Sequence, residues 1–277
     1  MGVTGFNSLI KNSIKRSLRY YKGQTVGIDV SIYLYKFKYA STTESMLTKF
    51  AAQVNTFKKN DIIPIYIFDG KSSYLKQDTK DARKEKSVIT ITKEDRKLLK
   101  SYLDESDIEW HTAPTEAEKY CAYLNKINYI SAIFSNDRDS LVFGGKVLVT
   151  YAKSEYHEIK LEDILSDNNI TPEQLIDVSI ASGCDFDSKG IPNIGIKKGL
   201  TLIKKFGDIK NWEGVEIPET LDIDSIRDIF LNFDQEEELF AQKSNLEDQE
   251  VKPEDQEVKP EDPEVEALCE DLEKTVV

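Results

Sequence analysis

Seven carboxylates stand where apolar elements end or helices begin: Asp29 in VGIDVS, Asp69 in IPIYIFDGK, Glu116 and Glu118 in APTEAE, Asp137 and Asp139 in FSNDRDS, and Asp185 in ASGCDFD. Buried parallel strands place their C-terminal ends along one sheet edge, so acids just past them converge there. Converging carboxylates repel one another unless cations neutralise them. An all-oxygen donor set, in a chain with only two histidines, selects hard ions such as Mg²⁺ or Mn²⁺ rather than zinc. The chemistry open to such a site is metal-assisted hydrolysis of a phosphodiester.

Taken singly, each acid has a structural explanation. Thr115-x-x-Glu118 reads as a capping box at a helix that starts at Thr115, and Glu116 suits a helix N-terminus. Asp137 and Asp139 could form a turn, as could Asp69 before Gly70, and Asp185 could belong to an ordinary loop after a helix. Four acidic turns after apolar elements, together with the pair at a helix start, favour the shared site.

The elements that must position these acids are legible in the hydrophobic pattern. TVGIDV is a short buried strand and SIYLYKFKYA a helix; residues 46–59 carry apolar positions at helical spacing. IIPIYIF is an almost unbroken apolar strand, as a parallel sheet covered on both faces requires. TKEDRKLLKSYLDES reads as an amphipathic helix, IEWHTAP as a short strand and turn, and AIFSND as a strand leaving into acids. KVLVTY and YHEIKL form a further β pair. TPEQLIDVSIAS starts with Thr171 as N-cap and Pro172 at the first helical position. The alternation predicts an α/β fold with a mostly parallel central sheet covered by helices. His111 and His157 read as structural or surface residues.

Net charge is −13, but it is unevenly divided. Residues 235–277 hold 4 Lys against 16 acids, whereas residues 1–234 hold 33 basic and 34 acidic groups, seven of them in the proposed site. The rest of the body is therefore basic, compatible with a nucleic-acid-binding face. EDQEVKP occurs twice from Glu247 and is followed by EDPEVEA. The expectation is a core over 1–234 and an acidic low-complexity tail over 235–277, disordered from about residue 240. No apolar run reaches the roughly 18 residues of a membrane span, and no signal-peptide core is present. Cys121, Cys184 and Cys269 form no CxxC pair and read as reduced intracellular thiols.

MGVTGFNSLI, VGIDVSIYLY, PIYIFDGK, APTEAEKYCA, NDRDSLVFG and GCDFDSKGIPNIGIKKG resemble, in order, the signatures of the flap endonuclease family of structure-specific 5′ nucleases, the xeroderma pigmentosum group G nucleases. The resemblance runs from Met1 to about Phe233. It implies a PIN-like nuclease fold and two Mg²⁺ ions, replaceable by Mn²⁺, held by the seven acids. It implies Lys71 and Arg83 as phosphate clamps at the foot of a helical arch, with Lys76 beside them on the DNA. Lys71 also follows Asp69-Gly70 directly, so strand geometry alone puts it beside the acids. Tyr35 matches a position that stacks a base near the scissile bond, and Gly2 lies among the DNA-binding positions.

The segment from Gly190 through Asn193 and Gly195 to Lys197 and Lys198 resembles the family's helix–two-turn–helix element, about residues 183–207. That element grips the duplex backbone without reading sequence and can bind K⁺ through loop carbonyls. The chain departs from the family in its arch, cut down to about residues 71–92, which leaves strict threading of a free 5′ end in question. A sliding-clamp box is not evident, so clamp recruitment is not carried over. The expected activity is that of a monomeric, intracellular nuclease cutting flapped or branched DNA in the nucleus or another site of replication, repair or recombination. The alternatives are a 5′→3′ exonuclease or junction resolvase on the same fold, and an inactive nucleic-acid-binding scaffold.

Overall fold

The structure, a computed structural model, describes residues 2–39, 43–71 and 90–250. Its centre is a seven-stranded sheet of β1 (Ile14–Arg16), β2 (Thr25–Asp29), β3 (Ile63–Phe68), β4 (Trp110–Thr112), β5 (Ala132–Phe134), β6 (Val147–Ala152) and β7 (Glu155–Lys160). The strand order is β1-β7-β6-β5-β2-β3-β4. The five strands from β6 to β4 are parallel; β7 and β1 add an antiparallel edge. The sheet is thus mostly parallel, as the sequence predicts.

Helices α1 (Val30–Tyr39), α2 (Thr43–Lys59) and α3 (Lys93–Glu105) cover one face. There Val26 and Ile28 of β2, Tyr66 and Phe68 of β3, and Phe134 of β5 join Leu34, Phe50, Phe57, Leu99 and Leu103 in one buried cluster. Alternate β2 and β3 positions point the other way: Gly27 faces Ile67, Ile130 and Cys121 of α4 (Ala117–Lys126). Burial of both faces explains the continuous apolar runs of β2 and β3.

Past β5 the chain forms α5 (Asp139–Val142), the β6–β7 hairpin, α6 (Leu161–Asn168) and α7 (Pro172–Ser182). Helix α7 starts as its sequence demands, with a Thr171/Gln174 capping box and Pro172 in its first turn. Helix α8 (Ile196–Phe206) packs on α7, and α9 (Ile223–Leu231) is tied to it by Arg227, which grips Asp177 with two 2.7 Å hydrogen bonds.

Two boundaries differ from expectation. Helix α4 begins at Ala117 with Glu116 as its N-cap and no side-chain cap, not at Thr115. The Thr115 hydroxyl is engaged elsewhere, donating to Glu236 Oε1 at 3.2 Å, so the capping box does not form. The region read as a tail from 235 carries α10 (Asp234–Glu250), and Glu236 is fully buried. The first compact unit runs from Met1 to Leu239, and Phe240–Val277 form the second. Acids in the first turn of α10, followed by Glu, Gln, Leu and Ala, are good helix formers that the neighbouring repeat obscured. The expected disorder falls partly on residues 251–277, outside the described residues.

Candidate active site

Five of the seven acids, Asp29, Asp69, Asp137, Asp139 and Asp185, are linked through intervening hydrogen bonds around the ends of β2, β3 and β5, and Glu116 and Glu118 flank Ala117, whose amide joins the run. Asp29 ends β2, where it is 1% exposed. Its carboxylate accepts from the Ser31 amide at 3.1 Å and the Ser135 hydroxyl at 3.0 Å. The Ser31 hydroxyl donates in turn to Asp69, which follows β3 and also takes the Ala117 amide at 2.9 Å. That amide lies at the N-terminus of α4, between Glu116 and Glu118, so the helix start and the β3 exit are fixed to each other. On the opposite side, Ser135 accepts from the Asp137 amide at 3.0 Å, and Asp137 accepts from the Asp139 amide at 3.1 Å. The chain's first residues close the run: the Val3 amide donates to Asp139 at 2.9 Å and the Gly2 amide to Asp185 at 3.2 Å.

Two glycines permit this arrangement. Gly2 has φ +77°, and a Cβ there would lie 2.3 Å from Asp139 Oδ1 and 2.8 Å from Asp137 Oδ1. At Gly70 a Cβ would lie 1.9 Å from the Ala113 carbonyl oxygen and 2.7 Å from that of Pro114. The β3 exit runs hard against the loop before α4, held by Gly70 N to Thr115 O at 2.8 Å and Lys71 N to Pro114 O at 3.2 Å. Gly70→Ala is therefore expected to lower thermal stability by about 1–3 kcal/mol through overpacking and to reduce activity by displacing Asp69 and Lys71. Melting and cleavage assays on the same preparation check both effects; an unchanged melting temperature would show that the loop yields freely.

The electrostatics are those of a cluster short of positive charge. Burial above all, with repulsion from Asp69 and Asp137, raises the Asp29 carboxyl to about 7 against the hydrogen bonds from Ser135 and Ser31 that lower it. Arg138, between Asp137 and Asp139, is pulled below the usual arginine range because burial outweighs attraction to Asp137. Among the described residues no group of three His, Cys, Asp or Glu side chains is gathered closely enough to hold an ion by itself. The donor set nonetheless fits a hard divalent cation: it is all carboxylate and includes an acid whose proton affinity is raised by burial and by neighbouring carboxylates.

The remaining predicted residues divide clearly. Tyr35 is 51% exposed while its neighbours Tyr33 and Leu34 are buried, so it is not a core residue. Lys71 is exposed beside Asp69; Lys76 and Arg83, and most of the arch, lie outside the described residues. Gly190 (φ +56°) and Asn193 (φ +63°) shape the loop before α8, Gly195 is its N-cap, and Lys197 and Lys198 are exposed on its first turn. His111 is buried between Tyr120 and Glu109, a structural role.

Sequence reasoning missed Ser31 and Ser135, which join the acids, and Gly70. A serine two residues after Asp29 and another two before Asp137 were the available signals, since such short-range hydroxyls bond nearby backbone and carboxylates.

Comparison with known proteins places the chain in a family. Family models described as the XPG N-terminal domain and the XPG I-region match residues 1–90 and 107–185. Flap endonuclease 1 of Enterocytozoon bieneusi (strain H348) is 31% identical over 279 residues, covering 83% of this chain and 77% of its own length. The fold is similar to that of the catalytic core of Rad2 solved with DNA substrate, with a TM-score of 0.74 and 21% identity over 83% of this chain and 86% of that one. It is also similar to that of the Holliday junction-resolving enzyme GEN1 solved with product DNA and Mg²⁺, with a TM-score of 0.65 and 19% identity over 82% and 63% of the two chains. With the two XPG regions in order and a flap endonuclease matched over most of both lengths, the chain belongs to the flap endonuclease family of XPG/Rad2 nucleases.

Proposed function

We propose that this protein is a structure-specific 5′ nuclease that hydrolyses DNA phosphodiesters at flaps or branch junctions, in replication, repair or recombination. The observation that carries the reading is the hydrogen-bonded run from the Ala117 amide, between Glu116 and Glu118, through Asp69, Asp29, Asp137 and Asp139 to Asp185. Asp29, Asp69, Glu116, Glu118, Asp137, Asp139 and Asp185 are the residues that would hold two Mg²⁺ ions, directly or through water. Bound there, such ions lower the pKa of an attacking water and stabilise the leaving oxygen.

The chain's own residues bind and orient the DNA. Lys71, fixed through its backbone to Pro114, adds positive charge next to Asp69, and the family resemblance assigns Arg83 and Lys76 to the DNA phosphates as well. Tyr35 offers an exposed ring on which a base beside the scissile bond stacks, a contact worth about 1–3 kcal/mol. The α7–α8 pair holds the duplex through phosphates: the α8 N-terminus supplies amides, and Lys197, Lys198, Lys204 and Lys205 are exposed along that helix. In the loop before it, Lys198 Nζ lies 3.5 Å from the Asn193 carbonyl, an acceptor suited to K⁺. The protein acts wherever the cell keeps its DNA. None of the described helices is long and apolar enough to cross a membrane.

The test is cleavage in Mg²⁺ of 5′-labelled free flap, 5′-blocked flap, bubble, nicked duplex and Holliday junction. Cutting of the free flap near its base is expected. Equal cutting of blocked flaps or bubbles would show that the short arch does not enforce threading. Binding without cleavage of any substrate, in Mg²⁺ or Mn²⁺, would overturn the nuclease reading in favour of a scaffold.

A further inference from the structure

Arg138 lies in sequence between two of the acids and is paired with neither. Asp139 accepts the Val3 amide and Asp137 the Asp139 amide. The guanidinium donates from Nη1 to the Asn136 carbonyl at 3.1 Å, and its Nε is shut off from solvent with no acceptor among the described residues. A guanidinium carries five N–H donors in a planar fork, and a buried donor left unmade is costly. Arg138 also lines a cleft of about 370 Å³ with the Gly2–Asn7 segment, Cys184, Asp185 and Ser188. Among the described residues it is the one cationic side chain on that cleft, whereas Asp185 is drawn to the Gly2 amide.

We propose that this cleft is a phosphate subsite in which Arg138 binds a phosphodiester of the cleaved DNA strand adjacent to the scissile one. The inference rests on the nuclease reading above. The fork of Arg matches two phosphate oxygens at once, which a lysine cannot do. A small rotation of the side chain brings its unused Nε–H to the ligand and ends its isolation. The position also answers a charge problem, since a DNA strand approaching seven carboxylates needs cations on the flank that Lys71 does not cover.

The test uses the full chain, a 5′-flap DNA and Ca²⁺ in place of Mg²⁺, so that binding is read without cleavage. Arg138→Met removes every donor at similar length; Arg138→Lys keeps the charge. The slope of log affinity against log salt is expected to fall by about 0.7–0.9 in Arg138→Met, the loss of one phosphate contact, and to be kept in Arg138→Lys. A single uncharged methylphosphonate beside the scissile phosphate should weaken wild-type binding about tenfold and leave Arg138→Met unaffected, because the two changes remove the same contact. Equal salt slopes, and equal methylphosphonate losses in wild type and Arg138→Met, would overturn the proposal, with melting curves confirming that both variants fold. If the wild type cuts nothing in Mg²⁺ or Mn²⁺, the nuclease reading fails, and the binding measurements still decide whether Arg138 holds a phosphate.

Discussion

Asp137→Ala is expected to reduce flap cleavage on the order of 10³-fold or more while DNA binding in Ca²⁺ is kept or slightly tightened. Cation stabilisation of a phosphoryl transition state is worth several kcal/mol, and each 1.36 kcal/mol is a factor of about ten. Binding should not suffer, because removing a carboxylate also removes repulsion of the phosphate backbone. Asp29→Asn should lose activity similarly, yet raise the melting temperature in EDTA at pH 8 by about 2–8 °C, corresponding to roughly 1–2 kcal/mol for a domain of this size. The sign follows from burial and from Asp69 and Asp137, which hold the folded-state carboxyl up at about 7, so at pH 8 it is ionised against its surroundings. An asparagine fits the same contacts, its oxygen accepting the Ser31 amide and its amide donating to the Ser135 hydroxyl. Retained cleavage in Asp137→Ala would remove that residue from the machinery. A fall in melting temperature for Asp29→Asn would mean that the carboxylate stabilises the fold and the acids do not strain it.

The opposite signs expected for activity and stability explain why this site was readable in the sequence. Acids placed at strand ends against their own repulsion carry no structural advantage together, so their pattern stands out from ordinary turns. The strands that position them were readable for a related reason: β2 and β3 are buried on both faces, and their apolar runs admit few other arrangements. β1 was not readable, because it is a three-residue edge strand with one half-buried side chain and two exposed ones. The start of α4 was misjudged because Thr115 and Glu118 have the right spacing for a capping box. The competing acceptor for the Thr115 hydroxyl, Glu236, is 121 residues away in sequence. Local pattern cannot rank a local hydrogen bond against one that only the fold creates. The same limit hid Arg138, since only the fold shows that the Asp137 and Asp139 carboxylates beside it accept backbone amides.

Glu236→Ala is expected to lower the melting temperature by about 6–20 °C and to reduce cleavage, although the residue stands about fifty positions after Asp185, the last of the acids. Its carboxylate is completely buried over the first turn of α4, where Oε1 accepts the Thr115 hydroxyl. Lys119 Nζ lies 3.4 Å from Oε2, near enough to neutralise it but without the geometry of a hydrogen bond. Phe233, just before α10, stacks on Tyr123 at 6.0 Å and lies beneath the ammonium groups of Lys119 and Lys126. The start of α10 therefore clamps the segment that carries Glu116 and Glu118. Removing one partner of a buried pair costs about 3–5 kcal/mol because the other charge stays buried, and each kcal/mol moves the melting temperature of a domain this size by about 2–4 °C. Replacing both partners, Glu236→Leu with Lys119→Met, should restore most of the melting temperature, since an apolar pair incurs no desolvation cost. If Glu236→Ala melts like the wild type, α10 is not part of the core. If it melts lower but cuts at the wild-type rate, the clamp stabilises α4 without setting the position of its acids. Loss of both, with recovery of both in the apolar double variant, would show that packing at the start of α10 holds the catalytic edge in register.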